Sequence, residues 1–477
     1  MGLKLITNEI KYTCIRSGKK LIWDKGVKIQ KISSQSSKTG VKDSSVSNLS
    51  LCDLDSRVPT EWAQLQLWMK NRPDCPRPYR YVQATPTSHP KSIIPSLNPL
   101  PISSCKIDDP IGRPHIWQTF RWQPHLFRPT VSANIQVIPL QFTDLRSDSN
   151  PISDYQKYFE FLRNFLINSS DVKIEPSIQI PEEYFQVGYP STKYELNNEH
   201  KGGSALLEDI ENLVASKLNL ADVDLIIFVV PITAELGQVS QKLNFGDPQS
   251  PIFKGKAIYL QGSINISKSS RLKWTPDPWV MVHEAIGHSM GLDDHFGGEL
   301  FRPDQLMPAH PKDLGTGQWG NMSGVNGDFL IWDKWTVGWV SDSQIACVDP
   351  KSQATISLTP STMKSDKTKA VVIPLSSSRG IVVESQRSVG YNFKYPKESN
   401  GALIYAVDMT EIAAGSGAPW GYGVYVQRPA SRPANVYQNG FTLGDAALKV
   451  GESLVVEGVK ISVVEAGDFG DVIQING

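Results

Sequence analysis

A chain of 477 residues with 40% hydrophobic content and 12 tryptophans is too long for one core, so two or three folded units are expected. Lys+Arg and Asp+Glu balance at 48 each, so no global field draws the protein to nucleic acid or to an anionic membrane. The longest apolar run, Val223 to Ile232, is about half the length a bilayer span needs and suits a buried strand.

Residues 1–27 read as a small strand-turn-strand module with Gly18 at the turn and Trp23 as its anchor. The module resembles one found near the start of secreted actinobacterial proteins, which implies export. The first residues, MGLKLITNEIKYTC, lack the apolar stretch of a secretory signal, so the chain either stays inside the cell or starts short of its natural beginning. Residues 28–58, rich in Ser and Lys, read as a flexible linker. From residue 59 to 130 prolines recur, favouring an extended wrapping or propeptide-like segment. Cys14, Cys52, Cys75, Cys105 and Cys347 form no C-x-x-C pair, so a structural zinc knuckle is not expected. Cys75 and Cys105 share the Pro-rich stretch, where a bridge would brace sequence with little core; unpaired buried thiols are the alternative.

Residues 131–349 outline an α+β catalytic domain. Ala133 to Leu145 alternates like a strand, and Asp154 to Ile167 has helical apolar spacing. A second helix, opened by Ser204, feeds the buried strand at Val223. Lys256 to Ile264, KAIYLQGSI, is the candidate edge strand for pairing with a peptide, or else an interior strand. Residues 350–477 break into short β-rich runs divided by Gly, Ser and Lys, the texture of an all-β sandwich or barrel.

The chemistry lies in PDPWVMVHEAIGHSMGLDDH, Pro276 to His295. Asp277 can cap a helix, Pro278 fits its first position and Gly291 its left-handed end, so a helix is expected from Pro278 to Met290. The motif departs by one residue from H-E-x-x-H, the zinc helix with two histidine ligands and a glutamate base. His283 and His288 are five positions apart, and on a regular α-helix such residues point roughly 140° away from each other. One π-type turn brings them to within roughly 50°, and Gly287 makes that turn sterically easy. A regular helix would instead pair Glu284 with His288 as ligands and leave no general base. The pattern H-x-x-G-x-x-D, formed by His288, Gly291 and Asp294, is where metzincin-type enzymes turn and place a third ligand. Asp294 is the first choice, His295 the alternative and Asp293 the third. Three protein ligands leave one zinc position for a water that the metal acidifies, with Glu284 placed to take its proton.

Met322, in WGNMSG, stands where a Met-containing turn would lie beneath the metal. Phe329, Trp332, Trp335 and Trp339 recur at helical spacing and read as core, with Asp333 and Lys334 solvated. His310 is the candidate donor to a tetrahedral oxyanion. His89, His115, His125 and His200 have no partner at ligand spacing and read as surface or packing residues. Tyr391 and Glu384 belong to the β region. Asp293 and Glu299, in the acidic GLDDHFGGELF, are a secondary candidate site for Ca2+, without the EF-hand spacing.

VIPLQFTDL, HEAIGHSMGLDD, WGNMSG, FLIWDKWTVGWV, IVVESQRSVGY and GALIYAVD occur in that order within residues 133–408. In this ordered set the sequence resembles the immune inhibitor A family of secreted zinc metallopeptidases. The resemblance implies a metzincin-like catalytic fold, cleavage of proteins outside the cell, one Zn2+ held by His283, His288 and Asp294, and Glu284 as the base. The extra residue in the helix departs from the family; dipeptidyl peptidase III, with H-E-x-x-G-H, is similar in that one feature. The expected protein is therefore a secreted zinc endopeptidase acting on protein or peptide substrates, with no nucleic-acid partner and no stable membrane insertion. The rival, from another class, is a catalytically inactive relative kept as an adhesion or binding protein.

Overall fold

Leu225–Val229, LIIFV, is apolar at every position, and such a strand needs cover on both faces. It lies at the centre of a largely parallel sheet, with neighbours on either side. The computed structural model describes residues 4–7, 10–17, 20–23, 27–28, 81–92, 99–108, 120, 126–195, 203–231, 242–244, 252–254, 256–261, 278–295, 314–324, 327–393, 395–410, 423–433, 437–438 and 441–477. The chain divides into two compact units, Met1–Leu49 and Ser50–Gly477, each described by itself.

In the first unit four short strands are described: β1 (Lys4–Thr7), β2 (Ile10–Ser17), β3 (Lys20–Trp23) and β4 (Val27–Lys28). They pair antiparallel in the order β1-β2-β3, with β4 also on β2, and Ser17 is the partner of Lys20; Gly18 lies outside the described residues. Residues 29–80, most of the expected linker with Cys52 and Cys75, lie outside the described residues.

In the second unit, the described part of the Pro-rich stretch before residue 131 holds a 3-10 turn, Ile102–Cys105, and one bridge from Val82 to Gly390. The central sheet and its helices follow as β5 (Ser132–Gln141), α1 (Pro151–Ser169), β6 (Glu175–Gln179), β7 (Phe185–Gln186), α2 (Gly203–Ala215), β8 (Leu225–Val229), β9 (Lys242–Asn244) and β10 (Ala257–Gln261). The order is β6-β5-β8-β10-β9 with β7 also on β5, and only β9 runs antiparallel to its neighbour. Asn150 starts α1, its Oδ1 accepting from the Ser153 N–H at 2.8 Å, with Pro151 in the first helical position. Tyr155, Phe159 and Leu162 of α1 pack with Leu225, Ile227 and Tyr259 on one face. Leu206, Ile210 and Val214 of α2 pack with Ile226, Phe228 and Leu260 on the other.

Of the two readings of residues 256–264, edge or interior strand, this packing selects the interior one for the described part, 256–261; residues 262–264 lie outside the described residues. Strand β10 lies between β8 and β9, and its side chains alternate between the two cores. Tyr259, Leu260 and Gln261 are paired along both edges, which leaves them no free backbone for a peptide.

The chain continues through α3 (Pro278–Met281), α4 (Asn321–Gly324) and α5 (Ile331–Thr336). Strands then follow as β11 (Ile345–Cys347), β12 (Gln353–Leu358), β13 (Ala370–Pro374), β14 (Arg379–Gln386), β15 (Gly401–Asp408), β16 (Val424–Val426), β17 (Tyr437–Gln438), β18 (Phe441–Thr442), β19 (Ser453–Val456), β20 (Val459–Gly467) and β21 (Gly470–Asn476). They build a five-stranded sheet, β11-β13-β14-β15-β16, a four-stranded sheet, β12-β21-β20-β19, and a β17–β18 pair. Ile373, Ile381 and Ile404 meet Leu358, Ile461 and Ile473 between the two larger sheets, which makes a sandwich. The opposite face of the five-stranded sheet sets Val372, Leu403 and Tyr405 against Trp319, Trp332 and Trp335. The second unit is thus mixed α and β, with several sheets and few helices, compatible with the α+β class. Among the described residues no helix is long and apolar enough to cross a membrane.

Two further expectations are corrected here. Cys105 bonds to Cys347, 242 residues away, and not to Cys75; the Leu100 N–H donates to the Cys347 carbonyl at 2.9 Å, laying the Pro-rich segment along β11. Phe329, Trp332, Trp335 and Trp339 are buried as expected, but the helix spans only α5, and Asp333 and Lys334 are buried with it. Helix α5 is enclosed, so its polar side chains pair internally: Lys334 Nζ sits 2.6 Å from Asp328 Oδ2.

Candidate metal centre

The motif helix starts as regular α3 and then changes pitch. Val282–Gly287 is a π turn, His288–Met290 a 3-10 turn, and the His288 N–H reaches back to the His283 carbonyl. The expected span, Pro278 to Met290, is therefore occupied by helix of three pitches. Gly291 ends it at φ 84°, its N–H bonding to His288 O at 2.9 Å while Leu292 N–H bonds to Gly287 O at 3.0 Å. A left-handed residue there favours glycine, and it turns the chain so that Asp294 comes back over the helix.

The π turn brings the two imidazoles to one side, with ring centroids 5.0 Å apart. Asp294 Oδ1 lies 3.0 Å from His283 Nε2 and 3.5 Å from His288 Nε2. One ligand atom from each of His283, His288 and Asp294 falls within 4.8 Å of the others, so this buried group could hold a metal ion. The regular helix of the alternative, which would pair Glu284 with His288 as ligands, is replaced by the π turn, and Glu284 is not in the ligand group. Glu284 stands beside the group, Oε2 3.7 Å from His288 Nε2 and 3.0 Å from the Tyr259 hydroxyl, which donates to it.

Backbone carbonyls decide the tautomers. His283 Nδ1 lies 2.9 Å from Asn321 O and His288 Nδ1 2.9 Å from Leu292 O. A carbonyl only accepts, so each Nδ1 carries a proton and each Nε2 is left as the ring atom that faces Asp294 and would serve a metal. Two imidazole Nε2 atoms and a carboxylate, with the rings deprotonated at Nε2, would suit zinc and other borderline divalent cations. Burial disfavours charge on His283, but the Asp294 hydrogen bond and the Glu284 and Asp294 carboxylates outweigh it and raise its pKa above the ordinary value. The pocket favours positive charge.

The α4 turn supports the helix from below. Met322 is fully buried, and a Cβ built on Gly287 would stand 2.4 Å from Met322 Sδ. The glycine that makes the π turn easy thus also admits the Met322 side chain. Asn321 orients His283 from the same turn, and the Met322 carbonyl accepts from His295 N–H at 2.8 Å. On the far side the Phe127 N–H donates to Ser289 O at 2.8 Å and Arg128 Nε to Met290 O at 3.1 Å, satisfying carbonyls at the helix end.

His295, the alternative third ligand, is turned away: its Nε2 lies 2.8 Å from Asp333 Oδ1 on α5, with both side chains buried. Asp293 is not in the ligand group. His89 is exposed, as expected of a surface residue, whereas His115, His125, His200, His310 and Glu299 lie outside the described residues. Tyr391 is buried among Phe161, Phe165 and Trp279. Glu384 is buried on β14, accepting from the Ile331 N–H at 2.8 Å and the Tyr405 hydroxyl at 2.8 Å. Tyr259, Asn321, Leu292, Phe127 and Arg128 escape a reading of the sequence. Four of them act through the backbone or reach it, and no residue-type pattern marks that.

Comparison of the chain with protein-family models gives no match, and neither does comparison with curated proteins.

Proposed function

We propose that this protein is a secreted zinc-dependent endopeptidase of metzincin-like fold, related to the immune inhibitor A enzymes. One observation carries the reading: His283, His288 and Asp294 converge through the π turn while the Glu284 carboxylate stays outside the ligand group. Zinc bound there supplies Lewis acidity, which makes water nucleophilic near neutral pH and polarises a carbonyl. His283 and His288 offer their Nε2 lone pairs because their Nδ1 protons are held by carbonyls, and Asp294 contributes the negative charge. Glu284 accepts the proton of the attacking water as the new C–O bond forms and returns it to the amine nitrogen as the C–N bond breaks. The Tyr259 hydroxyl donates to that carboxylate. The Cys105–Cys347 bond supports the extracellular setting, where disulfides persist.

The test is elemental analysis of the purified chain followed by casein hydrolysis with and without a chelator. One zinc per chain and hydrolysis that the chelator abolishes and zinc restores are expected. Glu284→Gln should keep the metal and lose about 10²- to 10⁴-fold in kcat, the contribution usual for a positioned base. A chain that takes up no metal, or a Glu284→Gln variant that cleaves normally, defeats the reading and favours the adhesion or binding rival.

A further inference from the structure

Strand β10 places one polar group against the motif helix. Its side chains alternate, Ile258 and Leu260 toward the α2 face, Ala257 and Tyr259 toward the face covered by α1 and the motif helix. Tyr259 is almost fully buried, and its backbone pairs with Ile227 on β8 and Asn244 on β9. From this interior position its hydroxyl donates to Glu284 Oε2 at 3.0 Å. That oxygen is also the one 3.7 Å from His288 Nε2, on the side of the ligand group.

A glutamate has three side-chain torsions, and one so close to two imidazoles has a competing use as a metal ligand. Glu284 is 7% exposed, so water contributes little to holding it. A phenol fixed on a strand paired along both edges restricts the carboxylate at low entropic cost, and a charge-assisted hydrogen bond is stronger than a neutral one. The geometry points to Tyr259 as a positioning residue that holds Glu284 as proton acceptor and keeps it out of the ligand set. This inference rests on the endopeptidase reading and adds to it a residue that no zinc motif contains.

The experiment uses the full chain, with wild type, Tyr259→Phe, Tyr259→Phe/Glu284→Gln and Tyr155→Phe. Tyr155 serves as the control, because its buried hydroxyl donates to Val230 O in the same core without touching Glu284. Each protein is loaded with Co2+, whose visible absorption reports coordination number, and kcat and KM for casein are measured on the zinc forms. Tyr259→Phe should lower kcat by about 10- to 100-fold with KM unchanged, the loss expected for a hydrogen bond to a charged group. Its cobalt spectrum should move toward higher coordination as Glu284 joins the metal, and adding Glu284→Gln should return it to the wild-type form. Tyr155→Phe should change neither kcat nor spectrum. A Tyr259→Phe protein with wild-type kcat and wild-type spectrum overturns the inference, as does a Tyr155→Phe protein that reproduces both changes. Wild type that takes up cobalt and hydrolyses nothing overturns the endopeptidase reading alone, and the spectra still decide on Tyr259.

Discussion

Gly287 does two jobs that no other residue can combine. It lies within the π turn, and it leaves the space that Met322 Sδ fills. Gly287→Ala would put a methyl 2.4 Å from that sulfur and 3.1 Å from Met322 Cε. Met322 is fully buried and cannot swing into solvent, so overpacking should cost about 1–3 kcal/mol. Chemical denaturation measures this, and Gly287→Ala/Met322→Ala should lose less than the two single variants added together. Additive losses would mean that the two side chains do not meet. The same stretch shows how far residue spacing alone can be read. Five positions between His283 and His288, with a glycine before the second, imply a π turn if both rings are to serve one ion. The third position is ranked by the same spacing, with Asp294 first in H-x-x-G-x-x-D ahead of His295 and Asp293, and Asp294 is the residue that joins the two histidines.

At the level of elements, the segment after the motif helix is held between the α4 turn and α5. Thr316 N–H donates to His295 O at 2.8 Å, His295 N–H donates to Met322 O at 2.8 Å, and the His295 ring meets Asp333. Burial disfavours charge on His295, yet Asp333, with Asp293 and Asp294 nearby, raises its pKa above the ordinary value. The imidazole therefore serves as a brace between the ligand loop and α5. His295→Ala breaks a buried pair and should cost about 3–5 kcal/mol of stability while one metal per chain is retained below its melting temperature. Asp294→Ala should do the reverse, lowering metal affinity by more than the about 10- to 100-fold typical of an outer-shell partner with a smaller change in melting temperature. Isothermal titration with Zn2+ and thermal melts of the metal-free chains measure the two effects. Loss of metal in His295→Ala with retention in Asp294→Ala would exchange the two roles. Two charged residues in an aromatic helix imply a solvated face, but Asp333 and Lys334 are buried because α5 has no solvent side.

Across the second unit, buried charges join the central sheet to the sandwich. Lys369 Nζ, on the sandwich side, lies 2.9 Å from Asp171 Oδ2, just beyond α1, and burial lowers its pKa to about 8. Glu384 on β14 binds the first N–H of α5, and burial pushes its pKa up to about 7 despite the Ile331 and Tyr405 donors. The sign for Glu384 follows from proton counting. Between the usual carboxylate range and about 7 the folded chain holds a proton that the unfolded chain has lost, so stability falls as pH rises through that window. Glu384→Gln should flatten the decline, which is on the order of 2–4 kcal/mol for this group. Thermal melts of both proteins from pH 5 to pH 8 test this, and parallel declines would remove Glu384 as their source. The Cys105–Cys347 bond belongs to the same scale, tying the Pro-rich segment to β11 across 242 residues.

The sequence by itself determined what is local. Apolar period marked β5, α1, β8 and the sandwich strands, Gly291 marked the helix end, and the His283–His288 spacing required the π turn. Such features depend on a few neighbouring residues, whose torsions and side-chain directions the chain carries wherever it goes. Only the tertiary structure decided that His295, second to Asp294 in the sequence, turns away to Asp333, that Cys105 meets Cys347, that β10 is interior and that Tyr259 reaches Glu284. Each of these turns on which distant segments come together, and that is settled by burial of whole faces, to which no single residue type is a guide.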